Sequence, residues 1–317
     1  MQPPAERGWT VIEFAIAMLL GLLVMLFSGG LLLASSSSFR GNSAAMQLND
    51  SGRHAVDVVE QAVRQGAFVN WDAVAAPAEL DAGAAPAIAG LDAQSISRGS
   101  DGISRPLAAV ANGSDVLAIR FAGSGGGSNG DGSMLNCGGF GVAAAATEAE
   151  RGWSIFYVAL NAQGEAELRC KYRGANGWGA DAIARGVDSF QVLYGLDTDS
   201  PADGVPNTYV NASAINALDA ALVLVDGTPA ELLRDRNRKT NWKRVCSVKV
   251  ALLLHGDLGS RPDSVPGQFE LFGKAYADAH GGDAGVRVLE SQLPLPLQLR
   301  VRQVFSATIM LRNRSGG

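Results

Sequence analysis

Residues 14–39 read FAIAMLLGLLVMLFSGGLLLASSSSF and contain no charged residue. A helix rises about 1.5 Å per residue, so about 20 apolar residues cross the hydrocarbon of a bilayer. The run is long enough for that crossing, and it is longer than the apolar region of a secretory signal peptide. The sequence therefore predicts one membrane-spanning helix near the N-terminus.

Glu13 is the one carboxylate at the start of this apolar run. A carboxylate inside an apolar helix costs a few kcal/mol unless it is paired or lies near the membrane surface. One interpretation is that Glu13 lies at the level of the lipid headgroups, in contact with water. The other interpretation is that the chemistry of the protein needs a carboxylate at this place.

The segment that precedes the apolar run reads RGWTVIE at residues 7–13 and follows a short polar leader. It resembles the prepilin motif of type IV pilins and type II secretion pseudopilins, although Trp9 replaces the usual Phe. The resemblance implies that a prepilin peptidase cuts between Gly8 and Trp9 and methylates the new amine. It also implies that Glu13 neutralises the N-terminal ammonium of its own or a neighbouring chain during assembly, where a low dielectric strengthens the pair.

The helix is predicted to continue through residues 40–66. Met46, Val56, Val59 and Val63 recur near helical spacing, with charged residues between them. This pattern is typical of an amphipathic helix that packs on a globular body.

The rest of the chain, residues 67–317, is predicted to be rich in strands. Residues 72–114 are rich in Ala, Pro, Gly and Asp and are interpreted as loop, but later runs alternate apolar and polar residues as half-buried strands do. We therefore expect the α+β class, with a long N-terminal helix packed on an antiparallel β-sheet. The predicted strands are 115–121, 153–160, 165–173, 187–194, 245–254 and 301–311.

Three segments of the body indicate which type of pilin the chain resembles. Residues 187–209 contain Tyr-Gly-Leu-Asp, residues 242–254 begin Trp-Lys-Arg-Val, and residues 311–313 read Leu-Arg-Asn. These segments resemble PilW-type minor pilins, whose bodies carry a Tyr-Gly-x-Asp stretch, a Trp-x-x-Val strand and a closing Leu-Arg-Asn. The resemblance implies a minor pilin that helps to initiate, assemble or cap a type IV pilus.

The resemblance also implies where the protein lies and what it meets. The expected organisation is a prepilin leader at 1–8, a transmembrane and filament-core helix at 9–39, its amphipathic continuation at 40–66 and a periplasmic body at 67–317. The protein would cross the inner membrane once and then enter the pilus. Its partners would be membrane lipid, the prepilin peptidase, the major pilin, other minor pilins and a tip adhesin, and no cofactor is expected. The net charge of −5 argues against a nucleic-acid binder.

Two alternatives stay open at this stage. A minor pseudopilin of type II secretion would share the same N-terminal chemistry. A membrane-tethered or secreted enzyme is the alternative of another class, with Ser35–Ser38 as a cleavage zone in the secreted form. Gly125, Gly127 and Gly130 match a dinucleotide fingerprint and overlap the form of a hydrolase elbow, but either use requires a helix directly after the loop.

The three cysteines predict one disulfide and one thiol if the body lies outside the cytoplasm. Cys137 and Cys170 flank the predicted strand 153–160 and are the favoured pair. A bridge between them would contribute about 3 kcal/mol in the chain-entropy model. Cys246 lies in an apolar strand and is interpreted as a buried thiol.

Asp197, Asp199 and Asp203 are weak candidates for a metal site. Aspartates at alternate positions supply the oxygen ligands that calcium prefers. The spacing is interrupted by Ser-Pro-Ala, and the twelfth position of such a loop is Thr208 rather than a glutamate. A solvated turn is therefore the favoured interpretation, and no metal is expected.

Overall fold

The computed structural model describes residues 10–68, 82–174, 176–261 and 265–313. The chain forms two units, one that ends at Gln47 and one that begins at Leu48. A single long helix, α1, runs through Val11–Gln65. The shorter helices are α2 (Ala212–Ala220), α3 (Pro229–Lys239) and α4 (Lys274–Ala279).

Strands make up most of the second unit. In chain order they are β1 (Ile88–Leu91), β2 (Gln94–Ser95), β3 (Leu107–Ala108), β4 (Val116–Phe121), β5 (Gly152–Leu160), β6 (Ala166–Gly174), β7 (Gly177–Arg185), β8 (Val187–Leu196), β9 (Thr208–Val210), β10 (Val245–His255), β11 (Gln268–Glu270), β12 (Arg287–Leu289) and β13 (Arg302–Met310).

The strands form two larger antiparallel sheets. One has five strands in the order β1-β4-β5-β6-β7, and the other has four in the order β13-β10-β8-β9. Two strand pairs, β2 with β3 and β11 with β12, complete the described sheets. The predicted α+β class is confirmed, with an N-terminal apolar helix followed by an antiparallel body.

The second half of α1 joins the main core. Leu48, Val59 and Val63 are buried there in one cluster with side chains of both larger sheets. Close packing requires a glycine at position 52, because a Cβ on Gly52 would overlap the ring of Phe305 in β13. The ring of Phe305 therefore packs directly against the backbone of the helix at this point.

The structure differs from the sequence prediction in two details. The helical spacing predicts Met46 on the packed face of the helix, but Met46 is 69% exposed, and Ala55 and Ala62 are buried instead. The composition of residues 72–114 predicts a loop; residues 69–81 lie outside the described ranges, but β1, β2 and β3 lie in the remainder. These strands have four, two and two residues, which is too short to show an alternation of apolar and polar residues.

Candidate functional site

The first turn of α1 is closed by a reciprocal pair of residues. The Thr10 backbone N–H and hydroxyl both donate to Glu13 Oε2, at 2.8 and 3.0 Å, and the Glu13 N–H donates to Thr10 Oγ1 at 3.3 Å. This is a capping box, in which two N–H groups at the helix start are satisfied by side chains. The Thr-x-x-Glu spacing at 10–13 is the signal that would have found it in the sequence. Gly8 and Trp9, the predicted processing residues, lie outside the described residues.

The residues that follow Thr10 form an apolar surface. The segment Val11–Leu32 has a mean hydropathy of 2.5, and none of it is buried. Apolar surface of this extent requires lipid or a protein partner, since a soluble monomer rarely exposes so much. The helix is therefore compatible with single-pass membrane anchoring.

The structure joins Cys137 and Cys170 in a disulfide, with a Cα–Cα distance of 5.9 Å. Cys170 lies in β6, and the Cys137 N–H donates to Ser154 Oγ of β5 at 3.0 Å. The long loop between β4 and β5 is thereby fixed to the five-stranded sheet at two points. Cys246 is buried in β10, with its sulfur 3.5 Å from the Gly195 carbonyl oxygen.

Asp197, Asp199 and Asp203 lie together in the turn that follows β8. One carboxylate oxygen of each lies within 4.8 Å of the others. Asp197 accepts hydrogen bonds from the backbone N–H groups of Asp199 and Gly204, and Asp203 accepts one from Val205. The carboxylates of Asp197 and Asp203 therefore bind the backbone of their own turn, and that of Asp199 accepts the Asn207 side-chain amide at 3.0 Å.

The glycine-rich loop after β4 does not have the context of a nucleotide site or a hydrolase elbow. Between β4 and β5 the structure describes turns and one short 3-10 turn, Glu148–Glu150. A pyrophosphate site would need the N-terminus of a helix directly after the glycines. The residues that follow the glycines form turns, as their composition indicates, and the helix that either use requires is not found between β4 and β5.

A buried ionic network, which the sequence pattern does not predict, surrounds Arg302 of β13. The Arg302 side chain is fully buried; its Nε donates to Asp188 Oδ2 at 2.6 Å, and one of its terminal NH2 groups donates to Glu290 Oε1 at 2.9 Å. His255 Nδ1 lies 3.0 Å from the other oxygen of Asp188. Burial would raise the pKa of Glu290, but the Gly267 N–H and the Arg261 guanidinium hold it below its ordinary value. The network joins β8, β10 and β13 to the 3-10 turn Glu290–Gln292, which follows β12.

These features define a class of protein: a membrane-compatible N-terminal helix that continues into a disulfide-linked, antiparallel α+β body. The sequence model of a family described as type IV pilus-assembly protein W matches residues 155–313, half of the chain. The chain therefore belongs to the type IV pilus-assembly protein W family. Comparison with curated proteins gave no match, and comparison with solved structures gave none.

Family membership points to a role in type IV pilus assembly. The matched residues run from β5 to the end of the described chain and include the ionic network around Arg302. They do not include the N-terminal helix, so the prepilin resemblance rests on the short leader, on residues 7–13 and on the apolar run that follows them. The two indications therefore come from separate parts of the molecule.

Proposed function

We propose that the protein is a minor pilin that helps to initiate, assemble or cap a type IV pilus. Its membership of the pilus-assembly family carries the proposal, and the exposed apolar segment Val11–Leu32 supports it. The role is structural rather than enzymatic. The partners are the prepilin peptidase, the major pilin, other minor pilins and a tip adhesin.

The N-terminal chemistry would begin with cleavage between Gly8 and Trp9 and methylation of the new amine. In the single chain, Glu13 is engaged by Thr10 of its own helix. An ammonium is a stronger partner for a carboxylate than a neutral N–H or hydroxyl, and a low dielectric increases the difference. Glu13 would therefore exchange the capping bonds for the N-terminal ammonium of a neighbouring subunit when the chain enters a filament.

The processing step is tested by mass spectrometry of protein extracted from native membranes. We expect a mature chain that starts at Trp9 and carries one added methyl group. A control strain without its prepilin peptidase should yield the chain that starts at Met1. If the peptidase-positive strain also yields Met1, or a chain cut near residues 35–38, the minor-pilin proposal fails.

The assembly role is tested by deleting the gene and restoring it with wild type or Glu13→Ala. We expect few surface pili without the protein, recovery with wild type, and weak recovery with Glu13→Ala. Asp57→Ala, which changes an exposed carboxylate of the same helix, is the matched control and should restore pili. The type II pseudopilin alternative predicts the reverse result: normal pili and loss of a secreted enzyme from the medium.

A further inference from the structure

A cleft of about 690 Å³ opens beside the hairpin of β6 and β7. Its walls come from three separate parts of the body: the loop after β2, the long loop between β4 and β5, and the hairpin itself. We call it the basic–aromatic cleft and define it by Arg98, Phe140, Tyr172, Arg173 and Trp178, which all line it.

The aromatic walls are held in place by close packing. The rings of Phe140 and Tyr172 lie 5.0 Å apart, and Trp178 packs edge-on against Trp153 at 5.9 Å. Gly138 and Gly179 flank Tyr172 so closely that a Cβ on either would overlap its ring. Phe140 is nevertheless 51% exposed, so an aromatic face remains open to a ligand.

Arginines outnumber carboxylates in the lining of the cleft, in a chain of net charge −5. Arg98 and Arg173 are both exposed, and Arg173 donates to a neutral acceptor, the Ala149 carbonyl, at 2.7 Å. The nearby carboxylate of Asp181 accepts the Tyr172 hydroxyl at 2.7 Å. Glu150 also lines the cleft, but its carboxylate accepts the N–H groups of Ala146 and Thr147. Two exposed guanidinium groups therefore line the same cleft.

The cleft is preformed, because internal contacts fix the two loops that line it. The ammonium of Lys171 donates to the carbonyls of Ser97, Ser100 and Gly102 at 3.0, 2.7 and 2.8 Å, which fixes the loop that carries Arg98. The disulfide fixes the loop that carries Phe140. A preformed cavity of this volume is typical of a small-molecule site, because little ordering is needed on binding.

We propose that the basic–aromatic cleft binds an acidic saccharide, a short sugar chain that carries a carboxylate. A guanidinium pairs with a carboxylate through two parallel hydrogen bonds, and the C–H face of a sugar ring is apolar enough to stack on an exposed aromatic ring. Ser128, Asn129 and Asn176 add donors and acceptors for sugar hydroxyls. A single-stranded nucleic acid would need a groove with cations along several phosphates, whereas this cleft offers two.

The test is calorimetric titration of the full-length protein in a polyoxyethylene detergent, which carries no sugar. The probes are a galacturonate disaccharide, the neutral galactose disaccharide of the same linkage, inorganic phosphate and a single-stranded DNA 12-mer. We expect the acidic disaccharide to bind and the neutral disaccharide to bind about tenfold more weakly or not at all, since one lost charged pair is worth about a factor of ten.

Arg98→Gln and Phe140→Leu should each weaken binding of the acidic disaccharide by about tenfold. Both side chains are exposed, so neither change should alter folding. Arg236→Gln, which removes an exposed arginine of α3 outside the cleft, is the control and should bind as wild type does. The proposal is overturned if the acidic disaccharide does not bind, if both variants bind it normally, or if phosphate or DNA binds more tightly. Filament assembly does not enter the assay, so the result is independent of the pilus proposal.

Discussion

Lys171 is a buried cation whose hydrogen-bond acceptors are all neutral oxygens. Burial lowers the pKa of its ammonium to about 8, against a partial offset from Asp101. The folded state therefore releases this proton at a lower pH than the unfolded chain, whose lysine titrates near 10.5. Between these two values the unfolded state binds more protons, so this residue makes the free energy of unfolding rise with pH.

This pH dependence is tested by measuring the free energy of unfolding of wild type and of Lys171→Met in urea at pH 7, 8, 9 and 10. The free energy of unfolding of wild type should rise relative to that of the variant above pH 8, because only wild type carries the titrating group. Hydrogen exchange of residues 97–102 should also be faster in the variant, since three carbonyls lose their donor. A difference between the two proteins that falls with pH would contradict the assignment.

Arg302 is the centre of the buried ionic network, and its replacement tests that network. Arg302→Met removes one partner from each of two buried carboxylates, Asp188 and Glu290. Asp188 keeps His255 and Glu290 keeps Arg261, so we expect the free energy of unfolding to fall by about 3 kcal/mol, the lower end of the usual cost of breaking a buried ion pair. Urea unfolding measures it, and Arg312→Met, an exposed arginine near the same terminus, should change it little. Equal stability of the two variants would show that the network contributes nothing.

At the level of single residues, the sequence could predict those that follow a local pattern. Glu13 stands out because it is a charge beside an apolar run, and Cys137 and Cys170 because they flank one strand. The basic–aromatic cleft could not be predicted, because Arg98 and Trp178 are brought together by strand order rather than by spacing. From the sequence, Arg302 could be recognised only as a polar residue in the predicted strand 301–311, where apolar and polar residues alternate imperfectly.

Gly52 allows α1 to pack directly on β13. In Gly52→Ala, the new methyl would push against the Phe305 ring, and overpacking of a core costs about 1–3 kcal/mol. We expect a lower Tm in a thermal unfolding scan. Gly21→Ala is the matched change in the same helix, where no atom lies within 4 Å of the new Cβ, and it should leave the Tm unchanged or higher. A Gly52→Ala protein as stable as wild type would show that the ring moves at no cost.

Among the elements, strands with strong alternation were predicted and weakly patterned ones were not. β4, β5, β6, β8, β10 and β13 each overlap a predicted strand, because Val, Ile, Leu and aromatic residues mark their buried positions. β7 reads GWGADAIAR and lacks that contrast. The start of α3 could have been predicted from its Thr-Pro-x-Glu pattern at residues 228–231. Thr228 and Glu231 form a capping box there.

For the molecule as a whole, the disulfide links β6 to the longest loop of the body. Cys137→Ser combined with Cys170→Ser should lower the free energy of unfolding by about 2–4 kcal/mol, because the unfolded chain gains the freedom of an opened loop. Urea unfolding under oxidising conditions measures it, with Cys246→Ala as the single-cysteine control. Dithiothreitol should shift the unfolding midpoint of wild type and not that of the double variant. A wild-type midpoint that ignores the reductant would contradict the bridge.

The outer edge of β7 determines whether a strand from another copy of this body can pair there. It is the last strand of its sheet, and among the described strands none pairs with that side. Exposed Asp181 and Arg185 and the irregular register near Arg169 discourage another strand from adding there. A strand of a second copy is therefore discouraged from pairing with this edge of the five-stranded sheet, so edge-to-edge association through β7 is disfavoured.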